Sequence, residues 1–147
     1  MPVLYENPDF DEERYMKNMT SFKHTALVCS SEDHTDRFYR DLLGLEKAEP
    51  WPLPATLARA IFGVDAELTI INYTGAGMHF EIFIDAGHPG SFGGIEHTCI
   101  EVESRRDFLD TCQKLGVTIN QVPKGDRFLL FVRDFDGNLF EVKSRGD

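Results

Sequence analysis

The chain has 147 residues, 41% of them hydrophobic and 27% charged, and its 25 acidic against 15 basic side chains leave a formal net charge of −10. A single domain with its own core is expected at this length. A nucleic-acid partner is not expected, because backbone binding needs clustered Lys and Arg; the charge is read as a solubility property.

Residues 1–20 are polar and acidic, and read as an N-terminal extension with one helical turn around 11–18. The start has no basic region followed by an apolar one, so no secretory signal is predicted. No apolar run approaches the roughly 18 residues that span a bilayer. Cys29, Cys99 and Cys112 have no paired spacing, which predicts a cytoplasmic setting without disulfides.

In chain order, residues 22–29 read as a strand. Ser30, Ser31, Glu32 and Asp33 then start a helix, with a Ser cap and acids in its first turn. Phe38, Leu42 and Leu45 give that helix an apolar stripe, and Gly44 ends it. A short strand is predicted over 46–50. Pro50, Pro52 and Pro54 rule out a central strand or helix interior over 50–54, so an extended cover is expected, with a short helix after it that stops at Gly63. Residues 67–73 and 78–85 read as a hairpin. The glycine-rich stretch 87–94 reads as a linker.

The second half repeats the plan. A strand is predicted over 95–103 and a helix after Ser104 with a stripe of Phe108, Leu109, Cys112 and Leu115. A short strand follows over 117–122. Residues 127–133 and 138–143 read as strands around a turn at Asp134, Phe135, Asp136 and Gly137. That turn is similar to part of a calcium loop but lacks the remaining ligands. Self-similarity is visible in the residues themselves: His24-Thr25 and His97-Thr98 open strands, Leu43-Gly44 and Leu115-Gly116 close helices, and Phe80-Glu81 and Phe140-Glu141 sit in later strands. Two copies are too few for a solenoid, so two pseudo-symmetric modules are expected, one over about 21–86 and one over about 95–145, within a single domain spanning 21–147.

Alternation along the strands then sorts the side chains by face. His24, Ala26 and Val28 share a face, as do His97, Cys99 and Glu101. On the later strands His79, Glu81 and Phe83 go together, and so do Leu139, Glu141 and Lys143. Leu27, Cys29, Phe80, Ile82, Ile84, Ile100, Val102, Phe140 and Val142 point the other way. One sheet face is therefore apolar and suits the helices. The other carries two His and two Glu, with Ala26 and Cys99 leaving room beside them.

The ordered repeat of first-strand His, Leu-Gly helix end and late-strand Glu, with the terminal Asp134 to Glu141 stretch, resembles the vicinal oxygen chelate superfamily, whose members include glyoxalase I, methylmalonyl-CoA epimerase, extradiol dioxygenases, fosfomycin-resistance enzymes and bleomycin-binding proteins. The resemblance covers about residues 22–144. It implies an α+β fold of two βαβββ modules, forming curved mixed sheets around a metal-binding cavity with helices on the convex face. In glyoxalase I the metal is held by side chains from the first and last strand of each module. By position these are His24, Glu81, His97 and Glu141. The epimerase carries Gln where this chain has Glu81, and the fosfomycin enzymes and dioxygenases use three of the four positions. The ligand pattern is therefore closest to glyoxalase I, although no counterpart of its glutathione-binding residues is visible. Relatives commonly dimerise, some sharing each metal site between chains, so a homodimer is expected.

Two imidazoles and two carboxylates suit Zn, Ni, Co, Mn or Fe. Four protein ligands leave open positions for a small-molecule substrate with oxygens on adjacent carbons, and the metal would stabilise its enediolate as a Lewis acid. A carboxylate beside the metal can shuttle a proton on the carbon next to the carbonyl, giving a lyase or isomerase reaction. The resemblance favours Glu141 for that base, with Glu81 second, and Lys143 on the same face would help keep Glu141 ionised. An epimerase, a dioxygenase or a non-catalytic drug-binding protein are the alternatives. Taken singly, a strand His is more often structural than a ligand; the matched pairs in both repeats carry the assignment. His79 reads as an ordinary strand residue or a support to the metal ligands. His34 and His88 are expected to face solvent, Cys99 to line the cavity, and Arg59, Lys124 and Arg127 to be surface charges.

Overall fold

A computed structural model describes residues 8–9, 11–13, 22–90 and 94–145. The expected N-terminal turn and the middle of the glycine-rich linker lie largely outside the described residues. The strands are β1 (Thr25–Cys29), β2 (Glu46–Lys47), β3 (Trp51–Leu53), β4 (Leu68–Gly75), β5 (Met78–Ile84), β6 (Thr98–Val102), β7 (Thr118–Lys124), β8 (Arg127–Arg133) and β9 (Leu139–Ser144). The helices are α1 (Glu32–Thr35, continuing as a wider π-type turn over Asp36–Leu42), α2 (Ala55–Phe62) and α3 (Arg105–Leu115). Among the described residues no helix is long and apolar enough to cross a membrane.

The two halves build two mixed sheets of the same plan. In the first the order is β1-β5-β4-β2, with β3 added along β4; in the second it is β6-β9-β8-β7. The first strand of each module runs parallel to its last, Ala26 opposite Glu81 in one and Cys99 opposite Glu141 in the other. The remaining pairs are antiparallel. The prolines fall where a missing N–H is tolerated: Pro52 lies on short β3 and Pro123 on edge strand β7.

Local sequence explains the helix ends. Ser31 and Ser104 cap α1 and α3, their hydroxyls accepting from the backbone N–H of His34 and Asp107. Gly63 and Gly116 close α2 and α3 in the left-handed conformation, at φ of 70° and 72°. Sequence periodicity does not show that α1 widens after Thr35, with the Leu43 N–H reaching back five residues to the Phe38 carbonyl. The wider turn lets the adjacent Phe38 and Tyr39 both point inward, and both are fully buried.

The helix faces of the two sheets share one core. Phe38 lies 5.1 Å from Phe140 between ring centres, Tyr39 5.3 Å from Phe80, and Phe80 5.8 Å from Phe140. Ile82, Ile100, Phe108, Cys112, Val132 and Val142 complete it. Each such side chain contributes about 1.5–3 kcal/mol on burial. This core fixes the register: a one-residue slip would drive Phe80 and Phe140 out and Glu81 and Glu141 in.

A polar clasp joins the modules at the β8–β9 turn. Asp134, almost fully buried, accepts from the Tyr39 hydroxyl at 2.9 Å, the Asn138 amide at 2.7 Å and the Cys29 thiol at 3.4 Å. Its other oxygen accepts from the backbone N–H groups of Asp136 and Asn138. The Asn138 amide also donates to the Val28 carbonyl at the end of β1. Burial, with Asp134 beside them, pushes the Tyr39 phenol and the Cys29 thiol far above their ordinary range, so both stay protonated and donate. The stretch expected as a turn is one, and it is also the hinge pin between the halves.

Candidate metal centre

His24 and His97 each sit one residue before the first strand of their module, Glu81 and Glu141 in the middle of the last. The parallel pairing brings each His beside its Glu. The His24 Nε2–Glu81 Oε2 separation is 3.6 Å, with the two side chains 35% and 21% exposed; for His97 Nε2–Glu141 Oε2 the values are 3.4 Å, 35% and 23%. The same half-site is thus built twice, to within 0.2 Å.

His97 carries a tautomer signal. Its Nδ1 lies 2.7 Å from the Ile95 carbonyl oxygen. A carbonyl only accepts, so Nδ1 carries hydrogen and a neutral ring presents the Nε2 lone pair to the Glu141 carboxylate. Two lone pairs facing one another repel. A cation between them, whether a proton or a metal ion, makes the arrangement attractive. Ligand bonds of about 2.1 Å at angles of 90–110° place an N and an O about 3.0–3.4 Å apart on one ion. The His97–Glu141 pair matches that span and the His24–Glu81 pair is slightly wider. Both halves suit a divalent metal by donor type, and the His97–Glu141 half also by spacing.

The structure brings His24 to Glu81 and His97 to Glu141, but not the two pairs together. Among the described residues no three His, Cys, Asp or Glu side chains converge as the ligand set of one ion. Each module carries two of the four candidate ligands.

The surroundings of the halves differ. In module one the His79 ring tilts against His24 at 5.2 Å, and its Nε2 lies 2.6 Å from Oδ1 of Asn72, the β4 residue opposite Glu81. His79 therefore lies against a candidate ligand, and Asn72 belongs to the same candidate site, which sequence reasoning missed; only strand pairing reveals it. In module two the counterparts of Asn72 and His79 are Phe131, opposite Glu141, and Leu139. Cys99 faces the same side as Glu141; desolvation and then the Glu141 carboxylate raise its thiol, which stays protonated.

Phe83 shares the open face with Glu81, as expected, and is buried there because α2 folds over it and the Phe62 ring packs edge-on at 5.2 Å. Two histidines come out differently. His34 is half-buried rather than solvent-facing: its Nδ1 lies 3.3 Å from Asp136, whose carboxylate has been drawn in by the β8–β9 turn. His88 is also half-buried. Arg59 is exposed beside Asp65, and Lys124 and Arg127 are exposed, as expected.

A sequence model of the Glyoxalase/Bleomycin resistance protein/Dioxygenase superfamily matches residues 21–142. No curated protein matches the chain in sequence. Among solved structures, a glyoxalase family protein from Enterococcus faecalis is 20% identical, with a TM-score of 0.65 over 84% of this chain and 97% of that one. The fosfomycin resistance protein FosX from Listeria monocytogenes is 15% identical, with a TM-score of 0.64 over 86% and 93%. A variant of that FosX, complexed with Mn(II) and 1S,2S-dihydroxypropylphosphonic acid, is 17% identical, with a TM-score of 0.65 over 85% and 92%. At these identities the likeness is one of fold.

Proposed function

Since the chain belongs to the Glyoxalase/Bleomycin resistance protein/Dioxygenase superfamily, we propose that it is a metal-dependent lyase or isomerase of glyoxalase I type, with His24, Glu81, His97 and Glu141 as the metal ligands. The observation that carries the reading is the twice-built His–Glu pair on the open sheet face, at 3.6 and 3.4 Å. The Mn(II) and vicinal diol held by the FosX variant support a divalent ion and a substrate with oxygens on adjacent carbons.

A divalent ion bound there supplies Lewis-acid charge to such a substrate. The chain's own residues do the rest. The Ile95 carbonyl orients His97 so that Nε2 faces the site, and Asn72 orients His79 against His24. Glu141, its Oε2 beside His97 and partly open to solvent, takes a proton from the substrate carbon and returns it to the neighbouring one. Glu81, in the matching place, is the second candidate for that role.

Because each module holds half the ligand set, the reading includes a homodimer in which module one of one chain completes its site with module two of the other. Light scattering should then give about twice the 16.7 kDa chain mass. A monomer with full metal content would contradict the shared site. For the activity itself, methylglyoxal with a thiol, glutathione or the uncharged 2-mercaptoethanol, in deuterated solvent is the first substrate to try, and product labelled at carbon is the expected result. Failure of every dicarbonyl–thiol adduct to turn over would remove the glyoxalase-type reading.

A further inference from the structure

The two halves match in their ligands but not in what lies one step beyond them. Residues two apart on a strand share a face at intervals of about 6.6–6.8 Å. Past the row Ala26–Glu81–Asn72, the next row of module one is Val28–Phe83–Ile70. In module two the row after Cys99–Glu141 is Glu101–Lys143, both exposed. Module one also has a piece that the repeat lacks. Strand β3 and helix α2 are inserted between β2 and β4, and they fold onto this apolar row, burying Ala58, Leu53, Leu68, Ile70 and Phe83 together.

The insertion does not fill the space it covers. It leaves a cavity of about 260 Å³ lined chiefly by Ala26, Val28, Phe62, Val64, Leu68 and Phe83, with Asp85 the one charged residue among the described residues that line it. Ala26 forms the end nearest Glu81, because the two are partners in register. Val28 and Phe62 keep part of their surface open, at 36% and 52% exposure. For scale, an apolar cavity of roughly 150 Å³ accommodates benzene.

We propose that this cavity is a substrate subsite, which takes an uncharged apolar group (a short alkyl chain or a single ring) joined to the vicinal oxygens, and which disfavours an anionic carrier. The proposal rests on the reading of His24 and Glu81 as metal ligands. Asp85, which lines the cavity, and the chain's net charge of −10 set the preference against negative charge.

Alkyl hydroxamates, whose two adjacent oxygens chelate divalent ions, are the probes. Calorimetry on the metal-loaded full chain should show affinity rising about fourfold for each CH2 from acetohydroxamate to hexanohydroxamate. Succinic monohydroxamate, with an anionic tail, should bind no tighter than acetohydroxamate. Ala26→Leu, which fills the cavity at its Glu81 end, should flatten the series; Phe62→Ala, which widens it, should move the best fit to longer chains. Acetohydroxamate binding with no gain along the series in the unaltered protein would overturn the proposal. If acetohydroxamate itself fails to bind, the metal reading has failed, and 1-hexanol, which needs no metal, tests the cavity by itself. Saturable 1-hexanol binding lost in Ala26→Leu would support the apolar subsite, and no saturable binding would overturn it.

Discussion

Replacing Glu141 by Gln should lower turnover by about 100-fold or more while part of the metal binding survives, the usual scale for losing a positioned base. Glutamine keeps the size of the side chain and offers one oxygen to an ion, but it cannot accept the substrate proton. The position is suited to the role: the carboxylate lies 3.4 Å from His97 Nε2, on the open face, and is 23% exposed. The check is turnover and metal content measured on the same preparation. Near-normal turnover with metal retained would contradict the assignment. Glu81, 21% exposed and in the corresponding place, would then take the role, and Glu81→Gln would carry the loss.

The second large effect is on stability, at the clasp between modules. Asp134→Ala should lower the free energy of unfolding by about 3 kcal/mol or more, because it leaves the Tyr39 hydroxyl, the Asn138 amide and two backbone N–H groups without their acceptor. Tyr39→Phe removes one donor and leaves the carboxylate its other partners. It should cost about 1 kcal/mol. Urea unfolding midpoints of the two variants measure the contrast. Equal losses would mean that Asp134 does not act as the shared acceptor the geometry describes.

Much of this was legible because the sequence repeats its own logic. His-Thr, Leu-Gly and Phe-Glu recur in order, and the period of two along each strand places Phe80 with Ile82 and Phe140 with Val142 on the core side, leaving Glu81 and Glu141 opposite. Ser31, Ser104, Gly63 and Gly116 act locally, so their caps follow from residue type alone. What stayed hidden depends on tertiary contact. Burial of Phe83 needs α2 to fold back over the sheet, and the place of Asn72 needs the β4–β5 register. The widened turn in α1 leaves no mark in the apolar spacing, yet it carries the Tyr39 phenol to Asp134, 95 residues away in the chain. His34 looked like a surface residue because its partner, Asp136, comes from the other module. The four candidate ligands and their pairing by module follow from the repeat and the resemblance, but the distance between the two pairs could not be read. Alternation fixes which face a side chain occupies, and says nothing of how two sheets are placed.

Elemental analysis of protein purified without added metal, alongside His97→Ala, tests whether a divalent ion is held by His24, Glu81, His97 and Glu141. A stoichiometric divalent metal is expected in the unaltered protein and a sharp loss in the variant, with circular dichroism unchanged because His97 precedes β6 and lies outside the core. Equal metal content in the two proteins would contradict the assignment.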